Sequence, residues 1–183
     1  NKKTLCYAGT ISDWFDFDIL IRSLEEFKET GKVLVGPSEV EIPKHERLYR
    51  FGPVSHSSVT GIMKMSDALI ILFRITELIK GVNPVKLYEY IYSCIPSISV
   101  SYTETERFGD YVYLYSNYDE LRKYIDMLTK NNLILKDKPE KYKDTYAKDL
   151  QAVIDAKSKG KKKVSKKQKK VIEQTKTEDI LKK

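Results

Sequence analysis

The sequence is poor in residues with redox or metal chemistry, since its 183 residues include only two cysteines and two histidines. Cys6 and Cys94 lie inside apolar segments, and their spacing matches neither metal ligands nor a disulfide framework, which is typical of a reducing compartment. His45 and His56 are isolated and supply neither a catalytic triad nor a metal set. We therefore expect no metal, and we predict that both cysteines are small core residues.

The sequence also lacks a hydrophobic run long enough to cross a membrane. Its longest apolar stretches, residues 68–73 and 95–100, have the length of strands. We expect a soluble protein of the cytoplasm. Because the chain begins with Asn1 rather than Met, we also expect it to be part of a longer polypeptide.

The excess positive charge is confined to one segment. The formal net charge is +7, but residues 157–170 hold nine lysines and no acid, so the remainder carries about −2. The net charge therefore indicates nothing about what the folded part binds. The lysine segment has two interpretations, which both stay open: a solvated tail, or an anchor for an anionic membrane surface at the inner face of the plasma membrane. Specific nucleic-acid binding is not expected, because no aromatic residues interleave these lysines.

Strand-like and helix-like segments alternate along the first 130 residues. Strands are predicted at 4–8, 32–35, 47–51, 68–73, 97–100 and 111–115, and helices at 14–29, 57–65, 84–94 and 118–130. Ser12 or Asp13 is predicted to cap the first helix, and Met65 is predicted to join the core. The alternation predicts an α/β fold, a doubly wound Rossmann-like parallel sheet with helices on both faces. We divide the chain into this domain at 1–135, a helical extension at 136–156 and a Lys-rich low-complexity tail at 157–183.

The start of the predicted helix at 84–94 has the features of an anion site. Asn83 is a good N-cap, and Pro84 at the first helical position loses nothing by lacking an N–H group. Unpaired amides and the helix dipole would stabilise a diphosphate there. Lys86 and Glu89 are three residues apart on one face, where an ammonium complements phosphate and a carboxylate can accept hydrogen bonds from vicinal hydroxyls.

The opposite face of the same helix is apolar. Leu87, Ile91 and Cys94 are predicted to pack on the core, which leaves Lys86 and Glu89 on the other side. Spacing alone does not distinguish a binding pair from an ordinary solvated ion pair on an amphipathic helix, so both interpretations stay open.

In these segments the chain resembles the C-terminal, donor-binding half of GT-B glycosyltransferases, especially bacterial enzymes related to families 1 and 4 that build surface polysaccharides. The resemblance covers residues 4–130. Its motifs are YAGTISDWFD at 7–16, VGP at 35–37, FGPV at 51–54, SDALIILF at 66–73 and NPVKLYEYIYSCIP at 83–96.

The resemblance assigns roles to individual residues. Glu89 matches the carboxylate that binds the donor ribose, and Lys86 matches a basic residue that reaches the diphosphate. Thr10 lies in a loop that approaches the phosphates, and Val54 lies where the base is held by backbone groups. Arg74 belongs to the sugar-contacting loop, without an assigned role. The predicted substrate-binding residues are therefore Thr10, Val54, Arg74, Asn83, Lys86 and Glu89.

The resemblance also implies a substrate and an acceptor, and at one position the sequence departs from the family. The substrate would be a nucleotide sugar, UDP-linked, with a glycan or lipid-linked acceptor and no cofactor. The catalytic base would come from an N-terminal domain outside this sequence, so we expect the chain to be inactive alone. Many family 4 members carry a second Glu eight residues before the ribose-binding one, where this chain has Gly81, which weakens assignment to the retaining subgroup.

The position of the site also follows from the fold. In a doubly wound sheet, ligands bind beyond the carboxyl ends of the strands where the strand order reverses. If the first and fourth strands are neighbours, loops 9–13 and 74–83 flank that crevice and Thr10 comes near Lys86.

Two other functions stay open. A nucleotide-sugar epimerase on the same fold would need cleft acids and histidines that we do not find. A flavodoxin-like or receiver-type regulatory module would be expected to carry clustered acids after its first strand, where this chain has Gly9 and Thr10. A phosphotransfer assay would separate the regulatory module from the glycosyltransferase.

Overall fold

The computed structural model describes residues 2–137, which form an α/β unit. Strands and helices follow one another in the order β1 Lys3–Ala8, α1 Phe17–Glu26, β2 Thr30–Val35, β3 Leu48–Phe51, α2 His56–Lys64, β4 Ala68–Ile71, α3 Glu77–Lys80, α4 Val85–Tyr92, β5 Ser97–Val100, α5 Thr103–Glu106, β6 Tyr113–Tyr115 and α6 Tyr118–Thr129. The predicted tail and nearly all of the predicted helical extension lie outside the described residues. Among the helices of residues 2–137, none is long and apolar enough to cross a membrane.

The six strands form one parallel sheet in the order β3-β2-β1-β4-β5-β6. Leu5 of β1 pairs with Lys32 of β2 on one side and with Ala68 of β4 on the other, so the strand order reverses between β1 and β4. The predicted doubly wound fold is confirmed. All residues of β2, β4 and β5 are buried, as expected for parallel strands covered on both faces.

Helices α1 and α6 lie against one another. The Tyr118 hydroxyl donates to Glu26 at 2.7 Å, and Arg122 forms an ion pair with the same carboxylate. The Arg22 guanidinium lies 3.7 Å from the centre of the Tyr118 ring. Leu20 and Leu24 of α1 are fully buried and form its apolar face.

The first helix begins later than predicted. Asp16, rather than Ser12 or Asp13, is its N-cap, with the carboxylate accepting from the Ile19 amide at 3.1 Å. Residues before Asp16 cannot be helical, because the Asp16 amide donates to the Leu72 carbonyl and the Trp14 carbonyl accepts from Arg74. Tertiary pairing with the chain leaving β4 therefore replaces the first helical turn.

Two predicted core residues are on the surface. Met65 is 85% exposed, because α2 ends at Lys64 and the chain turns toward β4 immediately after it. Cys94 is exposed and has a φ of 55°, since it follows the last turn of α4 at a position where the backbone reverses. Cys6, in contrast, is buried within β1 as predicted.

Candidate functional site

The loops that follow β1 and β4 meet where the strand order reverses. The Asp16 amide donates to the Leu72 carbonyl at 2.9 Å, and the Arg74 amide donates to the Trp14 carbonyl at 2.7 Å. Phe15 and Phe73 form an antiparallel bridge between these two hydrogen bonds. The condition set by the sequence is fulfilled, because β1 and β4 are neighbours and their loops lie side by side.

The loop after β1 is held by several hydrogen bonds. The Gly9 amide donates to the Val35 carbonyl and the Ile11 amide to the Pro37 carbonyl, both at 2.9 Å. The buried Tyr7 hydroxyl donates to the Thr10 carbonyl at 2.8 Å. The backbone around Thr10 is therefore fixed by the end of β1 and by the exit of β2.

Gly36 allows these two loops to approach closely. Its φ is +129°, and a Cβ atom there would lie 2.3 Å from the Gly9 carbonyl oxygen. Only glycine adopts this conformation without strain and leaves space for a neighbouring carbonyl. The glycine of the VGP motif thus permits the conformation of the loop that carries Thr10.

Helix α4 begins beside the loop after β1, but its first residues are not capped as predicted. Pro84 is the N-cap and no side chain caps the helix. The predicted N-cap role of Asn83 is wrong, because its side-chain oxygen accepts from the Arg107 guanidinium at 2.8 Å. The Val85 and Leu87 amides donate to the carbonyls of Asn83 and Pro84 at 2.9 and 2.8 Å, so these donors are used within the turn. A cation for an anionic ligand therefore has to come mainly from a side chain.

Lys86 supplies such a cation. Its Nζ donates to Glu89 Oε2 at 2.7 Å, and the two side chains are 34% and 19% exposed. Its Cε lies 3.6 Å from the position that a Cβ on Gly9 would occupy, so the first turn of α4 borders the loop of Thr10. For comparison, the similarly spaced pair of Glu77 and Lys80 is 90% and 54% exposed. The Lys86–Glu89 pair is thus partly enclosed, unlike an ordinary surface pair.

Two predicted site residues lie in other surroundings. Arg74 donates to Asp18 at 2.8 Å and lies 4.0 Å from Asp16, so its charge faces the acids that begin α1. Val54 is 40% exposed and follows β3, the edge strand, which is separated from β1 by β2. Their predicted roles in binding the sugar and the base stay predictions.

Tyr7 and Tyr90 are site residues that the sequence did not indicate. The Tyr90 hydroxyl accepts a hydrogen bond from the Ala8 amide at 2.9 Å, and burial raises the pKa of Tyr90 well above its ordinary value. Burial likewise raises the pKa of Tyr7, so both hydroxyls stay neutral. Each hydrogen bond depends on a tertiary contact or a loop conformation, and the sequence shows only tyrosines at apolar positions.

Comparison with known proteins supports the fold. No protein-family model and no curated protein matches the chain. The crystal structure of Anabaena HepE in complex with UDP-glucose aligns with a TM-score of 0.57 at 15% identity, over 72% of this chain and 40% of that one. HepE in complex with UDP and glucose aligns with a TM-score of 0.60 at 13% identity, over 83% and 49%.

A putative UDP-N-acetylglucosamine 2-epimerase from Listeria monocytogenes aligns at 12% identity over 71% of this chain and 37% of that one, but its TM-score of 0.47 is too weak a likeness to support a conclusion. This chain spans less than half the length of each HepE chain. The likeness to HepE establishes the Rossmann-like fold and agrees with the GT-B resemblance at that level.

The described residues contain no group of three or more His, Cys, Asp or Glu side chains that could hold a metal ion. At the start of α4, Lys86 and Glu89 bring one ammonium and one carboxylate to the loop after β1, where Ser12 also donates to Asp13 and Glu39. Such a pair can bind a ligand that presents both an anionic and a hydroxyl-rich part.

Proposed function

We propose that this domain binds the nucleotide-sugar donor of a glycosyltransferase, with the nucleoside diphosphate at the loop after β1 and the first turns of α4. The observation that carries the proposal is the position of the partly enclosed Lys86–Glu89 pair, where the strand order reverses and beside the loop of Thr10. The likeness to HepE, crystallised with UDP-glucose, favours a UDP-linked sugar.

Lys86 and Glu89 would bind different parts of the nucleotide. The Lys86 ammonium would turn from Glu89 to the diphosphate and form a charge-assisted hydrogen bond. Glu89, one helical turn further, would then accept from the ribose hydroxyls. Three residues of helix correspond to about 4.5 Å along the axis, so one nucleotide can reach both groups. Because Lys86 leaves Glu89 on binding, the new bonds to the nucleotide must offset this ion pair, which contributes at most about 1 kcal/mol.

The same ammonium would assist the reaction. Cleavage of the bond between sugar and diphosphate leaves negative charge on the leaving phosphate, which Lys86 would stabilise without a metal. The catalytic base and the acceptor site would belong to a second domain. We therefore expect this chain to bind donor and to transfer little or no sugar by itself.

The proposal extends to the acceptor and the membrane. The acceptor would be a glycan or a lipid-linked sugar of polysaccharide biosynthesis. The nine lysines of residues 157–170, which lie outside the described residues, would attract an anionic membrane surface by up to about 1 kcal/mol each. Sedimentation with anionic but not with neutral vesicles would be the expected result.

Titration calorimetry with UDP tests the donor site. Glu89→Gln keeps the size of the side chain and removes its charge, so the affinity should fall at least about tenfold, because charge-assisted hydrogen bonds to the ribose are weakened. The thermal stability should change little, since partly exposed ion pairs contribute at most about 1 kcal/mol.

Asp126→Asn is a matched control, because Asp126 also pairs with a lysine, Lys130, at 2.7 Å, but near the end of α6. This variant should bind UDP like the parent. Equal affinity of the Glu89→Gln variant and the parent would refute the assigned role, and absence of UDP binding by the parent would refute the proposed donor. The alternative functions, an epimerase and a regulatory module, are favoured by no observation on this structure.

A further inference from the structure

Tyr90 joins the candidate binding helix to the sheet. It follows Glu89 directly in α4 and lies one helical turn beyond Lys86. Its side chain is fully buried, and its hydroxyl accepts from the amide of Ala8, the last residue of β1, at 2.9 Å. This contact bridges 82 positions of sequence.

The Ala8 amide belongs to a series of fixed backbone groups. After it, the Gly9 amide bonds to Val35 and the Ile11 amide to Pro37. These two partners are carbonyls at the end of β2 and just beyond it, whereas the partner of Ala8 is a side chain of α4. Tyr90 therefore fixes the distance between the end of β1 and the helix that carries Lys86 and Glu89.

We propose that Tyr90 is a positioning residue for nucleotide binding: its hydroxyl holds α4 against the end of β1, so that the Lys86 ammonium faces the loop of Thr10. This inference rests on the proposed donor-binding function. Tyr90 does not touch the ligand in this arrangement, and it acts through the placement of Lys86, whose Cε packs close to Gly9.

A hydroxyl serves this role because of its burial. A bonded amide at a strand end needs an acceptor when water is excluded, and a phenol provides one on a rigid ring. Phenylalanine would keep the ring and leave the amide without that acceptor. Helix and loop would then separate slightly, or water would enter between them.

Tyr90→Phe in the full chain tests the inference with two measurements. Hydrogen exchange should become faster at the amides of Ala8 and Gly9, and the affinity for UDP should fall about tenfold. Tyr113→Phe is the matched control, since Tyr113 is also buried and its hydroxyl donates to the Ile134 carbonyl at 2.9 Å, but on the edge strand β6. That control should leave both measurements at the β1 loop unchanged.

A double-mutant cycle separates positioning from general destabilisation. If Tyr90 acts through Lys86, Tyr90→Phe should have little further effect on UDP affinity in a Lys86→Ala background. Full additivity of the two changes would overturn the inference, as would UDP binding by Tyr90→Phe equal to that of the parent. A parent that does not bind UDP would overturn the proposed function as well, so the two failures are distinguishable.

Discussion

Lys32 is a buried lysine in the middle of the sheet, and it provides a test of the packing around β2. The residue is fully buried, and its Nζ has no hydrogen-bond partner within residues 2–137. Burial, followed by the nearby Arg47 guanidinium, lowers the pKa of Lys32 from 10.5 to about 7. Arg47 is also buried, and it donates to the carbonyls of Leu24, Phe27 and Thr30. A charge on Lys32 would thus lie close to the Arg47 cation, beneath the end of α1.

This lowered pKa makes the stability of the domain depend on pH. Between pH 7 and pH 10.5 the unfolded chain holds a proton on Lys32 that the folded chain does not, so the free energy of unfolding rises with pH. Each tenfold change in proton affinity is worth about 1.4 kcal/mol, which gives a cost of about 4 kcal/mol at pH 7 and about 2 kcal/mol at pH 9. Lys32→Met removes this cost and keeps a long, flexible side chain in the same space.

Urea unfolding followed by circular dichroism at pH 7 and pH 9 measures the effect. The Lys32→Met variant should be more stable than the parent at both pH values, by about 2 kcal/mol more at pH 7 than at pH 9. Lys123→Met, at an exposed position of α6, should show no such difference. A gain in stability that is the same at both pH values, or a loss at pH 7, would refute the reasoning.

Three further predictions concern backbone conformation and the exposure of the cysteines. Gly36→Ala should destabilise the domain by at least about 1–3 kcal/mol, because the added Cβ would meet the Gly9 carbonyl at 2.3 Å. Gly61→Ala should be neutral or stabilising, because a Cβ added there would meet no atom within 4 Å outside its own stretch of α2. Chemical denaturation measures the free energy of unfolding of both variants. Cys94→Gly should stabilise by about 0.5–1 kcal/mol, since Cys94 has a positive φ after α4. In the parent, a thiol reagent should label exposed Cys94 quickly and buried Cys6, whose pKa burial raises to about 11, only on unfolding.

Much of the fold could be predicted from the sequence, because each buried strand is an apolar run bounded by turn residues. Residues 97–100 were predicted as a strand with the bounds that β5 has, and the helix predicted at 118–130 is α6. The burial of Lys32 could not be predicted in this way. A strand that contains a lysine is expected to lie at an edge or to point to solvent, but β2 is an inner strand and the whole residue is buried.

Short elements and element ends could not be predicted, because they depend on tertiary contacts. Helices α3 and α5 have four residues each, too few for a periodic pattern. The start of α1 was placed too early, since its local sequence favours a helix while backbone pairing with the chain after β4 prevents one. The loss of the Asn83 cap has the same origin, as its side chain bonds to Arg107 instead.

The candidate site was only partly readable from the sequence. The spacing of Lys86 and Glu89 indicated a shared face, and their ion pair confirms that they share it. Tyr90 and Gly36 act on residues 82 and 27 positions away, so no local pattern could show their role.

Nuclear magnetic resonance of the ¹⁵N-labelled chain titrated with UDP tests the central claim most directly, because it locates the ligand without a mutation. Saturable shifts are expected at the amides of Gly9, Thr10, Lys86 and Glu89, around the strand-order reversal between β1 and β4. Shifts confined to the opposite ends of the strands, or no shifts at millimolar UDP, would contradict a nucleotide site at the start of α4.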